Sequence, residues 1–340
     1  MKVIGKGGIR FIDPADELPH VPGADPYWQE SVVLYVWDTR QQCYVFLRIS
    51  HEPHNGEHGT AVVWSNVWVP GLQYKYTDAK PLRPEDRYAE GFAAPTLRYR
   101  FDGAHHWQLR SAEVELDLVM RDRHPAFDFF VGQNLGSIAP NHIEASGTVS
   151  GSIRVRDQHY ALHDAIGHRD HSWGVRKWAT IRAHRWTPAI LGDDLSLNAM
   201  TYLGDSGELR QFGFVIRDDT LYVPERVSVC VQQEADGHTT RGALVQFTLP
   251  GGEVLAAHYR NLVPSAISFH QVYPCNDAMA EVTCDGRVGV GVVESGSNAG
   301  GGGERPRNEN LVAGVIDNGV FTINSGSCFV PRQCPESGVP

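Results

Sequence analysis

Two neighbouring stretches decide the fold class of this chain. Residues 31–37 read Ser-Val-Val-Leu-Tyr-Val-Trp, and residues 44–49 read Tyr-Val-Phe-Leu-Arg-Ile, with a short polar segment between them. Both are short and rich in β-branched and aromatic residues, which favours strands over helices. Because both stretches are apolar on their two faces, they predict a β-hairpin that is buried on both sides.

The same pattern continues outward from this hairpin. Further strands are predicted at residues 60–69, 97–101, 107–109, 113–118, 212–216, 227–231, 245–249 and 288–292. No long amphipathic helix is predicted, and turn dipeptides such as Asp102-Gly103 separate several of the strands. Many short, evenly spaced strands predict an all-β fold of antiparallel β-barrels or sandwiches, and the number of strands suits two consecutive domains.

The predicted domain boundaries follow from this spacing. Residues 1–160 are predicted to form the N-terminal β domain, with the boundary near residues 157–164. Residues 161–295 are predicted to form the C-terminal β domain, and residues 296–340 a linker rich in glycine and a tail. Within the tail, residues 311–329 predict either one hairpin around Asp317-Asn318-Gly319 or a loosely docked segment.

Composition narrows the classes of function. The chain has 340 residues, of which 41% are hydrophobic, so a sizeable core can form. Its 30 Lys and Arg against 40 Asp and Glu give a net charge of −10, which argues against a nucleic-acid surface. No apolar run approaches the ~20 residues of a membrane span, and residues 1–8 lack the apolar core of a signal peptide.

The spacing of the cysteines predicts the cellular compartment of the protein. Six are scattered along the chain without a C-x-x-C pair, which is typical of reduced thiols and predicts a cytoplasmic protein. A Cys275–Cys284 or a Cys328–Cys334 disulfide remains an alternative at those spacings.

The chemically densest stretch lies at residues 167–176, Gly-His-Arg-Asp-His-Ser-Trp-Gly-Val-Arg. A solvated loop has no need of a tryptophan in such a charge cluster, and an ordinary core strand has no room for the charges. The stretch therefore predicts a polar floor under an apolar pocket, with Arg169, Asp170 and His171 as candidate catalytic residues. The alternative is a corner between domains, in which Arg169 and Asp170 form an internal ion pair.

Aromatic and basic residues elsewhere extend this predicted pocket. A strand through residues 178–186 would place Trp178, Arg182, His184 and Trp186 on one face, as a pocket wall or as part of a barrel core. The candidate substrate-binding residues are Trp173, Arg176, Trp178, His184, Trp186, His51 and Trp64.

The segment from His51 to His58 contains three histidines and two glutamates. Pro53 and Asn55-Gly56 make it a loop without zinc-ligand spacing, so no metal site is predicted there. A role for His51 or Glu52 as a pocket acid or base, and a plain solvated loop, both remain open. Motifs for nucleotide, flavin or metallopeptidase chemistry are missing, and no cofactor is predicted.

Several of these stretches together resemble a known group of proteins. Residues 167–176, together with 30–53, 61–68, 144–155 and 285–294, resemble the two-domain lipocalin-like proteins related to hydroxyneurosporene synthase (carotenoid 1,2-hydratase) and the AttH-like proteins. The resemblance covers roughly residues 5–295. It implies two β-barrel domains with a pocket between or within them, and reactions on apolar molecules without redox cofactors.

The function predicted from these features is that of a cofactor-independent lyase (hydratase or dehydratase) or isomerase. Its substrate would be a hydrophobic small molecule such as a terpenoid, steroid or aromatic catabolite, and Asp170 or His171 would donate the proton. Burial would raise the pKa of Asp170 and Arg169 would lower it, which leaves its protonation state open. The alternative is a carrier of an apolar ligand without catalysis. Exposed strand edges could support a homodimer.

Overall fold

The computed structural model describes residues 1–133, 135–136, 138–204, 207, 209–233, 239–270, 273–297, 314–317 and 320–323. The chain divides into two compact units. The N-terminal unit comprises residues 8–176, and the C-terminal unit comprises residues 1–7 together with the chain from 177 onward. Within the described residues the helical elements are short 3₁₀ turns at Pro14–Glu17, Pro84–Asp86 and Trp178–Thr180, and the rest of the regular structure is β.

The strands up to Val175 belong to the N-terminal unit, apart from the first. In chain order they are β1 Lys2–Ile4, β2 Arg10–Phe11, β3 Trp28–Asp38, β4 Cys43–Glu52, β5 Thr60–Val69, β6 Leu72–Pro81, β7 Arg87–Tyr88, β8 Gly91–Ala93, β9 Leu97–Phe101, β10 His105–Arg110, β11 Val114–Asp122, β12 Phe127–Asp128, β13 Asn141–Val155 and β14 Gln158–Val175.

The remaining strands belong to the C-terminal unit. They are β15 Ile181–Trp186, β16 Ala189–Leu191, β17 Leu195–Gly204, β18 Leu209–Arg217, β19 Thr220–Tyr222, β20 Arg226–Gln233, β21 Thr240–Thr248, β22 Val254–Asn261, β23 Ala266–His270, β24 Tyr273–Cys284, β25 Arg287–Ser297, β26 Gly314–Asp317 and β27 Val320–Ile323.

The N-terminal unit is one curled antiparallel sheet with the order β6-β5-β4-β3-β14-β13-β11-β10-β9-β8-β7. Val32 and Leu34 on β3 share one apolar core with Trp107 on β10 and Leu118 on β11. Because strands that lie far apart in the sheet order meet in this core, the sheet curls around it. The predicted hairpin at residues 31–49 is confirmed as β3 and β4, and every residue of both strands is buried.

The C-terminal unit is a second curled sheet, with the order β1-β19-β18-β17-β15-β25-β24-β22-β21-β20. Strand β1 pairs with β19 in parallel, and the other pairs are antiparallel. Leu197 on β17, Val229 on β20, Val245 on β21 and Val282 on β24 lie in one apolar core. The predicted all-β, lipocalin-like architecture is thus confirmed.

The division between the units differs from the predicted position near residues 157–164. That stretch contains the tight turn between β13 and β14, and the units divide after Arg176. Strand β14 pairs along its length with β13 and β3, so residues 167–176 belong to the N-terminal unit and not to the C-terminal one.

Three other local predictions meet the structure as follows. Trp178 lies in a 3₁₀ turn and not on the strand that carries His184 and Trp186, because that strand begins only at Ile181. Cys275 and Cys284 are free thiols, so the disulfide considered between them is absent. The alternative pair, Cys328 and Cys334, lies outside the described residues, as does the run of glycines at 300–303.

In the tail, β26 pairs with β27 as an antiparallel hairpin. Its ladder joins Asp317 to Val320, which agrees with the hairpin alternative for residues 311–329. None of the helices in the described part of the chain has the length and hydropathy that a membrane span requires.

Candidate acid–base site on strand β14

Strand β14 carries the charge-dense stretch in the middle of the N-terminal sheet. Successive side chains of a strand point to opposite faces, so the stretch splits into two sets. Arg169, His171 and Trp173 project to the side of the apolar core, which we call the inner face. Asp170 and the other even-numbered residues, His168 and Ser172, project to the opposite side, which we call the outer face. The stretch is buried on both faces.

On the inner face, Arg169 is the centre of a closed ion network. Its guanidinium donates to Glu17 Oε1 and Oε2 at 2.6 and 3.0 Å and to Asp122 Oδ1 and Oδ2 at 2.8 and 2.6 Å. Arg169 is only 3% exposed and Glu17 only 2%. Burial disfavours the charge on Arg169, but the two carboxylates outweigh it and raise the pKa of the guanidinium. This arrangement uses four of the five N–H donors of the guanidinium in ion pairs that fix structure.

The second inner-face group surrounds Glu30. His171 Nε2 lies 3.0 Å from Glu30 Oε1, His20 Nδ1 lies 2.7 Å from the same oxygen, and Arg87 donates to Glu30 Oε2 at 2.5 Å. Burial would raise the pKa of Glu30, but these partners lower it to about 2. The ring of Trp173 stacks on that of His20, with 3.7 Å between the centroids.

His171 is held between two carboxylates. In addition to Glu30, its Nδ1 lies 3.8 Å from Glu17 Oε2. Burial lowers the pKa of His171, and the two carboxylates more than reverse this and raise it to about 9. His171 is therefore an imidazolium at neutral pH, enclosed by anions that hold its proton.

A capped turn supplies Glu17 to this network. Asp13 accepts a hydrogen bond from the Ala15 backbone N–H at 2.9 Å, which caps the 3₁₀ turn Pro14–Glu17 at its start. The Arg169 charge and the His171 contact lower the pKa of Glu17 to about 2, against the effect of burial. A segment that precedes the first long strand is thus fixed to the inner face by buried charge.

On the outer face, Asp170 pairs with a residue that the sequence analysis did not single out. His142 Nε2 on β13 lies 3.0 Å from Asp170 Oδ2. Burial opposes charge on both groups, but their mutual attraction lowers the pKa of Asp170 and raises that of His142. Arg176 and Arg48 lower the pKa of Asp170 further. Both shifts favour an imidazolium–carboxylate couple, in which His142 carries the proton.

The outer-face couple retains free polar atoms. Asp170 Oδ1 and both ring nitrogens of His142 are buried without a hydrogen bond among the described residues, and Nε2 contacts Asp170 as an ion pair at 3.0 Å. Buried polar atoms are normally paired, so such atoms need an explanation. The Phe130 ring stacks on His142 with 4.3 Å between centroids, and Phe130 also lines an apolar cavity of about 370 Å³ with Pro140 and Val175.

A second histidine–carboxylate contact lies behind the couple. Glu144 Oε1 lies 3.6 Å from His142 Nε2, and Glu144 Oε2 lies 3.2 Å from His168 Nε2. His168 Nδ1 lies 3.0 Å from the Ser146 hydroxyl. The strand register explains the row, because Glu144 is directly opposite Asp170 and Ser146 is opposite His168. Polar side chains thus continue across β13 and β14 from Asp170 to Ser146.

Cations and an indole complete the outer face. Arg176 donates to Ser172 Oγ at 2.9 Å, and Ser172 lies 3.2 Å from Ser31. The Arg48 guanidinium lies over the Trp64 ring at 5.0 Å from its centroid. Arg48 is opposite Val33 on β3, and Val33 is opposite Asp170 on β14, so these residues share one row across the sheet.

The structure therefore brings together only some of the predicted site residues. Asp170, Arg176 and Trp64 share the outer face, whereas Arg169, His171 and Trp173 lie on the inner face. His51 is also on the inner side, fully buried, with Nε2 2.9 Å from the Ala93 carbonyl oxygen. Burial lowers its pKa to about 4, so it is neutral. Trp178, His184 and Trp186 are buried in the C-terminal unit.

Sequence reasoning missed His142, Glu144, Glu30 and Glu17. Residues 142, 144 and 146 alternate His, Glu and Ser within a strand that is otherwise buried, and this polar alternation is the pattern that could have marked a second wall of the site. Glu17 and Glu30 had no such pattern, because their contacts with β14 are long-range.

Two groups in the N-terminal unit have the spacing of metal ligands. They are His20, Glu30 and His171, and Glu17, His105 and Asp122. Guanidinium groups already neutralise their carboxylates, since Arg87 binds Glu30 and Arg169 binds Glu17 and Asp122. Both groups are therefore ion-pair networks. The predicted loop from His51 to His58 begins later, because β4 continues to Glu52. His51 at the end of β4 and His54 in the following loop face the backbone carbonyls of Ala93 and Gly23.

Comparison with known proteins gives the fold and the family. Among solved structures, a putative AttH from Nitrosomonas europaea is similar at 15% identity with a TM-score of 0.66, over 87% of this chain and 98% of that chain. CghA in complex with Sch210972 is similar at 12% identity and a TM-score of 0.60, over 85% and 97%. Kievitone hydratase from Nectria haematococca is similar at 11% identity and a TM-score of 0.59, over 87% and 95%.

The similarity to the AttH protein and to a hydratase of this fold confirms the resemblance seen in the sequence. No curated protein matches the chain. A family model described as a domain of unknown function, DUF7064, matches residues 13–299, which is most of the chain. The chain therefore belongs to the DUF7064 family.

Proposed function

We propose that this protein is a hydratase, dehydratase or isomerase that acts on a hydrophobic small molecule by general acid–base catalysis at His142 and Asp170. The observation that carries the proposal is the buried imidazolium–carboxylate couple with a free nitrogen and a free oxygen. A couple of this kind holds an acid and a base side by side. The chemistry needs proton transfer only, which these two side chains supply themselves.

Hydration of a carbon–carbon double bond can be written on these atoms. His142 gives its Nδ1 proton to one alkene carbon, and a water molecule bonds through oxygen to the other carbon. Asp170 Oδ1 accepts the surplus proton of that water, which leaves a neutral His142 that still carries its Nε2 proton and a neutral Asp170. The couple is restored when solvent water removes the proton from Asp170 Oδ1 and another proton from solvent returns to His142 Nδ1. Dehydration is the same sequence in reverse, and isomerisation omits the water.

The surroundings support an apolar substrate. The cavity beside Phe130 is lined by residues such as Leu135, Ile138 and Val175, and an apolar wall protects a cationic intermediate from competing water. Trp64 offers an aromatic face on the same side of the sheet, and such faces stabilise positive charge. The structural likeness to a protein named kievitone hydratase supports the same reaction class. Terpenoids, steroids and aromatic catabolites are the substrate classes to test.

The test is product formation with a panel of apolar alkenes and alcohols in ¹⁸O-labelled water, followed by mass spectrometry. General acid–base catalysis contributes typically ~10²–10⁴-fold. Asp170→Asn keeps the shape of the side chain and removes the base, so we expect turnover to fall at least about tenfold. Asp38→Asn, another buried carboxylate on the neighbouring strand β3, serves as the matched control and should keep full turnover.

Full activity in Asp170→Asn contradicts the proposal. Tryptophan quenching by a ligand that is recovered unchanged contradicts catalysis and identifies a carrier instead. Retained folding of the variant is checked by circular dichroism, so that a loss of turnover is assigned to chemistry.

A further inference from the structure

Three side chains on adjacent strands of the C-terminal unit form a second cluster. His184 lies on β15, Glu294 on β25 and Cys275 on β24. Gly296 on β25 is directly opposite both His184 and Cys275, so these two side chains lie on one face with only a glycine between them. Glu294 precedes Gly296 by two residues and points to the same face. The candidate ligand atoms of the three residues all lie within 4.8 Å of one another.

The histidine in this cluster is already oriented as a metal ligand would be. Its Nε2 lies 2.6 Å from Glu294 Oε1, and its Nδ1 lies 3.0 Å from the Tyr273 hydroxyl. A histidine that binds metal through one nitrogen usually donates the other ring N–H to a fixed oxygen acceptor. Tyr273 is fully buried and supplies that acceptor.

The packing around Gly296 holds Tyr273 in place. A Cβ added at Gly296 would lie 2.3 Å from the Tyr273 ring and 2.5 Å from its hydroxyl oxygen. Any side chain there would displace the tyrosine that fixes His184. The absence of a side chain at Gly296 thus leaves room for the contact between Tyr273 and His184.

The cysteine and the neighbouring carboxylate supply the charge. Cys275 is a free thiol at 1% exposure. Asp277 is 2% exposed and lies directly opposite Glu294 in the ladder. Glu294 itself is 22% exposed on its side chain, which gives an ion a path to the cluster. A thiolate and a carboxylate together carry two negative charges, the complement of one divalent cation.

We infer that His184, Cys275 and Glu294 form a binding site for a zinc ion, with Tyr273 as a positioning residue. A mixed set of imidazole nitrogen, thiolate sulfur and carboxylate oxygen suits zinc better than magnesium or calcium, which prefer oxygen alone. Three protein ligands leave a fourth tetrahedral position for water or another ligand. The proposal is independent of the acid–base function, because it concerns residues of the C-terminal unit.

Binding would replace contacts that now join the ligands to each other. The ion would separate His184 Nε2 from Glu294 Oε1 and coordinate both, and Cys275 would release its thiol proton to solvent. Because the ion competes with that proton, affinity should increase with pH.

The test uses the full-length chain, freed of metal and titrated with Co²⁺ as a spectroscopic substitute for Zn²⁺. We expect one equivalent to bind with a thiolate-to-cobalt charge-transfer band, and Zn²⁺ to displace it. The band should disappear in Cys275→Ser and persist in Cys284→Ser, a matched control because Cys284 is a free, buried thiol on the same strand. Tyr273→Phe should weaken Zn²⁺ binding about 10–100-fold and keep the band at saturation.

A wild-type chain that binds no Co²⁺ or Zn²⁺ stoichiometrically overturns the inference. So does a charge-transfer band that persists in Cys275→Ser, because the sulfur ligand would then be another cysteine. If Cys275→Ser fails to fold, Glu294→Gln replaces it, since the amide keeps the shape of the side chain. Full affinity and an unchanged band in Glu294→Gln exclude the proposed ligand set.

Discussion

The inner and outer faces of β14 carry similar residue types but hold them in different ways. On the inner face, Arg169 is paired with two carboxylates and Glu30 with three donors. Both oxygens of the inner-face carboxylates Glu17, Glu30 and Asp122 accept hydrogen bonds, although His171 Nδ1 and Arg87 Nη1 have no such partner among the described residues. On the outer face, Asp170 Oδ1 has no hydrogen-bond partner among the described residues. A carboxylate with both oxygens bonded fixes geometry, whereas a carboxylate with an unbonded oxygen can accept a proton. We therefore propose a structural role for the inner face and a chemical role for the outer face.

The largest effect on stability should come from removing Arg169, the cation of the inner-face ion network. Arg169→Met leaves the buried carboxylate of Glu17 and the partly exposed carboxylate of Asp122 without their cation. Removal of one partner of a buried ion pair costs about 3–5 kcal/mol. We expect the free energy of unfolding in urea to fall by that amount. The control is Arg154→Met, because Arg154 pairs with Glu115 at the surface, where such pairs contribute about 0–1 kcal/mol. Equal losses in the two variants would contradict the distinction between buried and exposed pairing.

The second-largest effect should be seen in the pH dependence of stability, through His171 on the inner face. The folded-state pKa of His171 is about 9, above its ordinary 6.5. Its stabilising contribution is therefore complete below pH 6.5 and is lost as the pH rises through 9. We expect the free energy of unfolding to decrease between pH 6.5 and 9, and His171→Gln to reduce this slope. His163→Gln changes an exposed histidine and should leave the slope unchanged. A wild-type stability that does not fall in this range would contradict the assignment.

At acid pH, the free energy of unfolding should change with pH in the opposite direction. The pKa values of Glu17 and Glu30 fall from 4.5 to about 2 on folding, so their contributions are present above pH 4.5 and are lost as the pH falls through 2. The combined contribution of Glu17, Glu30 and His171 should be largest between about pH 4.5 and 6.5, where all three groups are charged in the folded state. The neutral His51 has the opposite effect in this range, because its contribution is complete above pH 6.5 and is lost as the pH falls through 4.

The smallest effect concerns the turn that carries Glu17. Asp13→Ala removes the cap of Pro14–Glu17 and should cost about 1 kcal/mol, since loss of such a cap costs about 0.5–2 kcal/mol. Thermal unfolding would measure the loss, and turnover at the outer face should not change. A loss of turnover without a loss of stability would mean that the inner face takes part in the chemistry.

The sequence predicted the architecture well because the information is local. Alternating and continuous apolar runs mark strands such as β3 and β4 directly, and their residue types leave little choice of structure. The sequence also predicted a site at residues 167–176, and our proposal keeps Asp170 from that stretch. It did not predict the different pairing of the residues on the two faces, because that pairing depends on residues distant in sequence that contact each face.

His142 shows why the rest could not be predicted. Asp170 meets it through the register of β13 against β14, which places Glu144 opposite Asp170 and His142 two residues away on the same face. Asp170 was predicted as a possible acid, but His142 lowers its pKa against the effect of burial, so our proposal gives Asp170 the role of the base. The same holds for His184 and Cys275, which are 91 positions apart in the chain and meet across Gly296.

The central claim, that His142 and Asp170 form a buried imidazolium–carboxylate couple, can be measured without knowing the substrate. Nitrogen-15 NMR of histidine-labelled protein, with the His142 resonances assigned by their loss in His142→Gln, gives the protonation state of the ring. We expect a His142 pKa above the ordinary 6.5, and a lower pKa in Asp170→Asn. A His142 pKa at or below 6.5 in the wild type, or a pKa that is the same in Asp170→Asn, would contradict the account.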